Sequence, residues 1–455
     1  MIKLKDNSYK SINEIKENLK SENKNISDED INSLKEISHR TIKNIIENDN
    51  LLIFPSDLNK SKDIDKSKTI FNIYNDKILT NNLMGFIGYN DTQIKITSRF
   101  ASNENDYFLH YMLQKVLCLN IFDLQHSTNK DDSFDFLIYM FLDLFQKAIR
   151  QGIFKSYQKR KYNDANVRGV IDINRHIKNN IPFNGKIAYN TREYSYDNNI
   201  TQLIRHTIEY INTKSRGILN INEDIKSGVF QIIEATKRYD KNKRQSIINK
   251  NLKKLNHPYF YEYEPLRKIC IQILRHEELK YGREENKIYG ILFDGAYLWE
   301  EYIYTILKDL DFLHPRNKEK TDGINLLNKK WTVYPDFYNY NKQIVLDTKY
   351  KMLNKDNDKI DGSDKHQIIS YVYTLGAKIG AFIYPIKETK EDLKSLIGEL
   401  NNSKNNGILK ASIHKCGFLI PNENFKNIKE FANKIKTSED NFKKKLKTNF
   451  NNCRI

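Results

Sequence analysis

Two short apolar runs in the last third of the chain carry acidic residues where an ordinary core strand has none. They are Val333-Tyr334-Pro335-Asp336-Phe337 and Ile344-Val345-Leu346-Asp347-Thr348-Lys349-Tyr350-Lys351. Both read as β-strands, joined by a polar turn at Asn339 to Lys342. Strand alternation points Asp347 and Lys349 to one face, because side chains two apart share a side. A Pro-Asp pair places Asp336 eleven residues before Asp347. Together these residues form the PD…(D/E)xK arrangement of metal-dependent phosphodiester-cleaving enzymes. There, two carboxylates hold a hard divalent cation, and the ammonium stabilises charge or positions a water for in-line attack. A lone D-x-K is common, and a surface hairpin with incidental charges is the plain alternative. The apolar run leading into Asp347 and the upstream Pro-Asp favour the site.

The flanking segments agree. Phe293 to Leu307 has apolar residues at helical spacing and sets Glu300 or Glu301 where a helix approaches the strand pair. Either Glu could instead lie on a solvated face. Lys365 to Leu375 reads as a second helix, with Gln367 and Tyr371 one turn apart. That pair suits a supporting role at the metal site or a contact with a DNA phosphate. Ala381-Phe382-Ile383-Tyr384-Pro385 reads as a buried strand closed by proline. Helix, strand, strand, helix, strand is the core order of the restriction-endonuclease-like fold.

The remainder of the 455 residues is too long for one core, so a multidomain α+β chain is expected. Residues 1–50 show helical spacing at Ile12, Ile15 and Leu19 and again from Ile31 to Ile46, which predicts a helical appendage. Residues 51–200 read as a β-rich N-terminal domain with a helical insertion. Its runs are Leu51 to Pro55, Thr69 to Tyr74 and Ile94 to Ile96, with a charged loop at Lys60 to Lys68 and a turn at Asn90-Asp91. Two aromatic-rich helices follow, Asp106 to Leu119 and Ser133 to Gln151, before strands return over 155–200. That last segment is basic and interleaved with Tyr, through Lys155, Lys159, Arg160, Lys161, Arg168, Lys186 and Arg192. It could track a DNA backbone or dock on an acidic protein, and the two readings stand level. Residues 201–284 read as a helical connector with an exposed charge run at Lys237 to Arg244. Residues 285–455 form the nuclease-like α/β domain and end in an exposed, Lys-rich helix from Asn424 onward.

The net charge of +17 suits an anionic partner, nucleic acid first, although the Lys-, Asn- and Ile-rich composition of AT-rich coding sequence accounts for part of it. Cys118, Cys270, Cys416 and Cys453 form no CxxC pair, which fits a reducing compartment. Met1 to Lys20 has no apolar h-region, and the most apolar helix, Phe134 to Phe145, is interrupted by Asp135 and Asp143 and too short for a bilayer. A cytoplasmic protein without a membrane partner is expected. His110, His206 and His276 fall in helical patterns and read as core or surface residues. The sequence contains no G-x-x-x-x-G-K-[ST], so the chain is not expected to hydrolyse nucleotide by itself. It also shows no recognisable reader of DNA sequence, so another subunit is expected to say where to cut.

These motifs together resemble the McrC family, the nuclease subunits of McrBC-type, 5-methylcytosine-specific restriction systems. The C-terminal resemblance lies in Leu298-Trp299-Glu300, Pro335-Asp336 and Asp347-Thr348-Lys349-Tyr350-Lys351. The N-terminal resemblance lies in Gly85 to Tyr89, Ile94 to Phe100 and Val167-Arg168-Gly169-Val170-Ile171-Asp172. It covers residues 50 to 420. The resemblance implies a Mg²⁺-dependent endonuclease subunit acting on double-stranded DNA in an anti-phage complex. Asp336 and Asp347 would ligate the metal with the main-chain carbonyl of Thr348, and Lys349 would stabilise the pentavalent phosphate or orient the water. Glu300 joins them ahead of Glu301, because it fits the family's Leu-x-Glu pattern. The resemblance also implies a hexameric, McrB-like AAA+ GTPase partner. Residues 50 to 200 would insert into or cap that ring through Arg160, Arg168 and Arg192, and removing residues 1 to 200 would leave the nuclease domain folded. The alternatives are a stand-alone or differently partnered PD-(D/E)xK nuclease of another defence or repair system, and a non-catalytic activator.

Overall fold

A strand buried along its whole length needs a partner on each edge, and Ile288–Asp294 has both. In the computed structural model it pairs parallel with Asn50–Phe54 and antiparallel with Leu83–Tyr89. The structure describes residues 1–21, 26–48, 50–55, 67–101, 106–117, 132–215, 217–279, 288–315, 323–327, 330–351, 360–387, 394–400 and 411–451. Thr92–Thr97 and Ile2–Lys5 complete a five-stranded sheet beside Leu83–Tyr89. Because both faces of Ile288–Asp294 are covered, its sequence is continuously apolar up to Asp294 rather than alternating. At Gly290, where φ is +132°, a Cβ would lie 2.2 Å from the Phe86 carbonyl oxygen, so only glycine lets the strands approach there. The expected Asn90-Asp91 turn closes the hairpin between Tyr89 and Thr92, with Asn90 at φ 50°.

The two stretches of helical spacing expected in residues 1–50 form three helices, Ile12–Ser21, Asp28–His39 and Ile42–Asn48. They lay Ile15, Leu34, Ile37 and Ile45 on the core of this sheet. Residues 1–50 are therefore more than a helical appendage. Ile2–Lys5 and Tyr9–Ser11 are strands, each too short to show a period, and Ile2 finds its partner at Ile94.

A second five-stranded sheet runs in the order Phe337–Asn339, Ile344–Thr348, Ile379–Ile386, Ala411–Leu419, Lys394–Leu400. Helix Gly295–Leu307 precedes it in the chain and helix Gly362–Leu375 follows its second strand, packing Ile368 and Val372 against Val345, Phe382 and Tyr384. The predicted run Val333 to Phe337 is not one strand. Lys330–Val333 pairs with Ile324–Leu327, and Tyr334-Pro335-Asp336 bridges to Phe337–Asn339. Pro335 has no N–H for a ladder, which accounts for the break. The C-terminal helix Ile428–Asn451 is not simply exposed. It has two faces, burying Phe431, Ile435, Phe442 and Leu446 while Lys444, Lys445 and Lys447 face water. Its buried Glu439 accepts hydrogen bonds from the hydroxyls of Tyr111 and Tyr302, each at 2.9 Å.

The chain divides into two compact units, one of Met1–Phe122 with Glu278–Ile455, the other of Asp123–Glu277. This differs from the four consecutive parts expected from the sequence. The N-terminal strands and the candidate nuclease region share a unit because Ile288–Asp294 belongs to the N-terminal sheet. Cutting away residues 1–200 would strip that strand of both neighbours, so the nuclease region is not the separable domain expected.

The second unit holds helices Asp132–Arg150, Asn199–Lys214, Glu223–Ala235 and Arg244–Lys250. It also holds a sheet of Ser156–Asp164, Ile187–Ser195 and Val170–Ile171. A helix, Ile173–Asn180, falls where only strands were expected. Neither Cys270 nor Cys416 forms a disulfide, and both are buried. Cys118, Cys453 and most of the predicted Lys60 to Lys68 loop lie outside the described residues. Among the described residues, no helix is long and apolar enough to cross a membrane.

Candidate active site

The hairpin register explains the spacing of the two aspartates. Phe337 pairs with Leu346 and Asn339 with Ile344. One step beyond the first pair, that register sets Asp336 across from Asp347. Both are buried, at 7% and 2% exposure. Asp336 Oδ2 accepts from the Thr348 N–H at 2.7 Å and from the Thr348 hydroxyl at 2.6 Å. No hydrogen bond reaches its Oδ1 among the described residues. Asp347 Oδ2 lies 2.8 Å from Lys349 Nζ, as strand alternation predicted.

Lys349 Nζ has two further oxygen neighbours, Asp364 Oδ1 at 3.1 Å and Gln367 Oε1 at 3.3 Å. Burial pushes the Lys349 pKa down, but Asp347, Asp364 and Asp336 outweigh it and hold the ammonium well above its ordinary value. Gln367 Nε2 donates to the Tyr371 hydroxyl at 2.8 Å, and Tyr371 donates to the Tyr334 carbonyl at 3.3 Å. Burial pushes Tyr371 up to about 12, so it remains a donor. The predicted Gln367–Tyr371 pair therefore ends on Lys349.

Helix Gly295–Leu307 supplies the third side. Asp294 caps it, accepting from the N–H groups of Ala296 at 3.0 Å and Tyr297 at 3.2 Å. A Cβ at Gly295 would come within 2.7 Å of Tyr350 Cε1, so the helix can begin this close to the Lys349 strand only with glycine. His314 Nδ1 donates to the Asp336 carbonyl at 2.7 Å, and its Nε2 lies 3.5 Å from Glu301 and 3.8 Å from Glu300. Burial lowers the His314 pKa, but the two glutamates and the Asp336 carbonyl more than reverse it, and the imidazole is held above its usual value.

A cavity of about 360 Å³ is lined among others by Asp294, Glu300, Asp336, Asp347, Lys349 and Gln367. Glu300 lines it and Glu301 does not. Among the described residues, no three His, Cys, Asp or Glu side chains are already gathered as metal ligands would be. The donor chemistry nevertheless suits a hard cation. Two buried carboxylates and Glu300 face the same space, all offering oxygen, and Asp336 keeps Oδ1 uncommitted.

Asp364, His314, Asp294 and Asn82 also belong to this site or its walls, and the sequence reading missed all four. Asp364 was within reach, because it stands three residues before Gln367 and seven before Tyr371, on one helical face. Nothing local marks the others. Arg160, Arg168 and Arg192 lie in the second unit. Arg192 is exposed with its guanidinium 4.9 Å from the Tyr157 ring, and exposed Arg168 lies 5.8 Å from the Tyr162 ring. Arg160 is half-buried and donates to the Asp197 carbonyl at 3.0 Å.

The sequence matches a protein family, the McrBC 5-methylcytosine restriction system component, over residues 78–385. Two solved structures match the chain at low identity. The first is a refined half-complex from a tetradecameric assembly of Thermococcus gammatolerans McrB AAA+ hexamers with bound McrC. It matches at 14% identity and a TM-score of 0.49, over 98% of this chain and 99% of that one. The other is a cryo-EM structure of the Thermococcus gammatolerans McrBC complex, at 16% identity and a TM-score of 0.31, over 68% of this chain and 87% of that one. No curated protein sequence matches the chain.

Proposed function

We propose that this chain, which belongs to the McrBC family of 5-methylcytosine restriction system components, is an McrC-type, Mg²⁺-dependent DNA endonuclease subunit. The observation that carries the reading is the convergence of Asp336, Asp347 and Lys349 with Glu300 on one cavity. The order of strands and helices around it supports a restriction-endonuclease-like, PD-(D/E)xK domain. Asp336 Oδ1, Asp347 and the Thr348 main-chain carbonyl would hold Mg²⁺, with Glu300 as a further carboxylate. Bound there, the ion supplies Lewis-acid charge to the phosphodiester under attack.

The chain's own residues do the rest. The Thr348 N–H and hydroxyl fix the plane of the Asp336 carboxylate. Lys349, already facing three acceptors, is a proton donor and not a base. Its ammonium is placed to donate to a phosphate oxygen as negative charge grows. Gln367 and Tyr371 hold that ammonium in its rotamer.

In this reading the chain, whose sequence has no P-loop, acts on double-stranded DNA with an McrB-like AAA+ GTPase hexamer. The second unit offers a surface for that partner or for DNA. Lys159 and Arg192 stand directly opposite each other on neighbouring strands, as do Tyr157 and Tyr194. Like charges so placed cost stability alone and suit an anionic surface. Arg168 and Arg192 are the contacts on this account, and Arg160 is structural.

The test combines the purified chain, its genomically neighbouring NTPase, nucleotide, Mg²⁺ and DNA carrying 5-methylcytosine. The complex should cut, Asp347→Asn and Lys349→Met should not, and the chain alone should bind DNA weakly with steep salt dependence. Undiminished cleavage by Asp347→Asn would remove the site assignment. Cleavage by the chain alone at the rate of the complex would make it a stand-alone nuclease. Stimulated NTPase turnover without cleavage would make it a non-catalytic activator.

A further inference from the structure

The two lysines of the site, Lys349 and Lys351, lie past the end of their strand. Ile344–Thr348 is the last paired stretch, and the Lys349 N–H donates to the Ile383 carbonyl at 2.9 Å as its final sheet bond. What fixes the backbone beyond that point comes from the N-terminal sheet. Tyr350, between the lysines, is 5% exposed. Its hydroxyl meets Ser98 Oγ at 2.8 Å, its ring lies edge-on to Phe100 at 5.2 Å, and the Arg99 guanidinium stands 4.7 Å from the ring centre. Arg99 Nη1 donates to the Tyr350 carbonyl at 3.3 Å, the peptide group that leads into Lys351.

Arg99 is itself held rigidly. Its Nη2 and Nε meet Asp6 Oδ2 at 2.7 and 3.1 Å, and Nη2 also donates to Asn82 Oδ1. Asn82 lines the cavity, and its carbonyl accepts from the Gly295 N–H at 2.8 Å, at the start of the helix that carries Glu300. Asp6 and Arg99 form a pair with side chains 0% and 8% exposed. Such a pair is weak evidence for stability, since desolvation cancels much of the attraction. A planar fork that reaches a carboxylate, an amide oxygen and a peptide carbonyl at once supplies geometry instead.

We infer that Arg99, oriented by Asp6 and Asn82, is a positioning residue for Lys349 and Lys351, so that the N-terminal sheet sets the cationic side of the active site. This rests on the nuclease reading above and names a part of the chain that reading does not use. Lysine at position 99 keeps the charge facing Asp6 but cannot reach three acceptors. In the assembled complex, Arg99→Lys should lower kcat by at least about tenfold, with the KM for DNA, complex assembly and Tm close to wild type. Ile87→Val, a comparably buried change in the same sheet, should keep the wild-type kcat, which separates positioning from general loosening. If Arg99→Lys fails to fold, Asn82→Ala removes one of the fork's partners and should still lower kcat. Wild-type kcat in Arg99→Lys, or in Asn82→Ala where the former is insoluble, overturns the inference, provided Asp347→Asn is inactive in the same preparation. If Asp347→Asn cuts as wild type does, the nuclease reading itself has failed.

Discussion

Asp364 holds the Lys349 ammonium through Oδ1 at 3.1 Å and, through Oδ2, the Lys351 ammonium at 3.0 Å. One carboxylate thus spans the two cations of the cavity and screens them from each other. Burial raises its pKa, but the two lysines more than reverse that, and the group is held below the ordinary carboxylate range. Replacing Asp364 with Asn keeps the shape and removes the charge. Cleavage should fall by about tenfold while the Mg²⁺ concentration for half-maximal rate stays put. A shifted Mg²⁺ midpoint would instead place Asp364 among the metal ligands.

Asp336 and Asp347 should separate stability from chemistry. Asp347→Asn should reduce cleavage by at least about 100-fold and weaken Mg²⁺ binding, with little change in denaturation midpoint. Asp336→Ala should do the same to cleavage and also lower stability by about 1–3 kcal/mol, because it leaves the Thr348 N–H and hydroxyl without their acceptor. Asp336→Asn should recover the stability and not the activity. Urea denaturation beside a plasmid-nicking assay measures both.

The second unit carries a buried histidine that ties its stability to pH. His206 is buried in helix Asn199–Lys214, and its Nε2 meets no hydrogen-bond partner among the described residues. Burial first, and Arg244 second, bring its pKa down to about 4. The unfolded chain binds that proton near about 6.5. Between these values the unfolded state holds more protons, so stability is full above the unfolded pKa and declines as pH falls toward 4. The decline should be on the order of 2–3 kcal/mol. Urea midpoints at pH 7.5 and 4.5 should show it, and His206→Phe should flatten the slope. A steeper slope in the variant would reverse the assignment.

A fragment of residues 285–455 should not fold by itself. Its first strand, Ile288–Asp294, is apolar on both faces and would have two bare edges. The fragment should aggregate or lack near-UV circular dichroism. A fragment with native-like dispersion in its amide spectrum would show that the strand can do without Asn50–Phe54 and Leu83–Tyr89.

What could be read from the sequence was what neighbours along the chain determine. The helix after Asp294, the Asp347–Lys349 face, the one-turn spacing of Gln367 and Tyr371, and the Asn90-Asp91 turn all express local periodicity or turn chemistry. What could not be read depends on pairing at a distance. Ile2–Lys5 is four residues long and is a strand because Ile94 to Thr97 lies beside it. Arg99 looked like the end of a β-run, and its reach to Tyr350 and Asp6 follows only from the fold. That the segment beyond residue 285 shares a unit with the N-terminal strands could not be read for the same reason. A change of pattern marks where an element begins, and it does not say to which sheet the element belongs.

Leu83–Tyr89 and its partner Ile288–Asp294 leave the ribosome far apart in time. Roughly 200 residues separate them, which at about 5–20 residues per second amounts to roughly 10–40 s of synthesis. Until Ile288–Asp294 emerges, the nascent N-terminal sheet exposes an unpaired edge, while the contiguous segment 123–277 is completed before that strand appears. The candidate nuclease site therefore matures late. Its lysine-bearing backbone cannot be seated on Arg99 until Tyr350, 251 residues further along the chain, has been made.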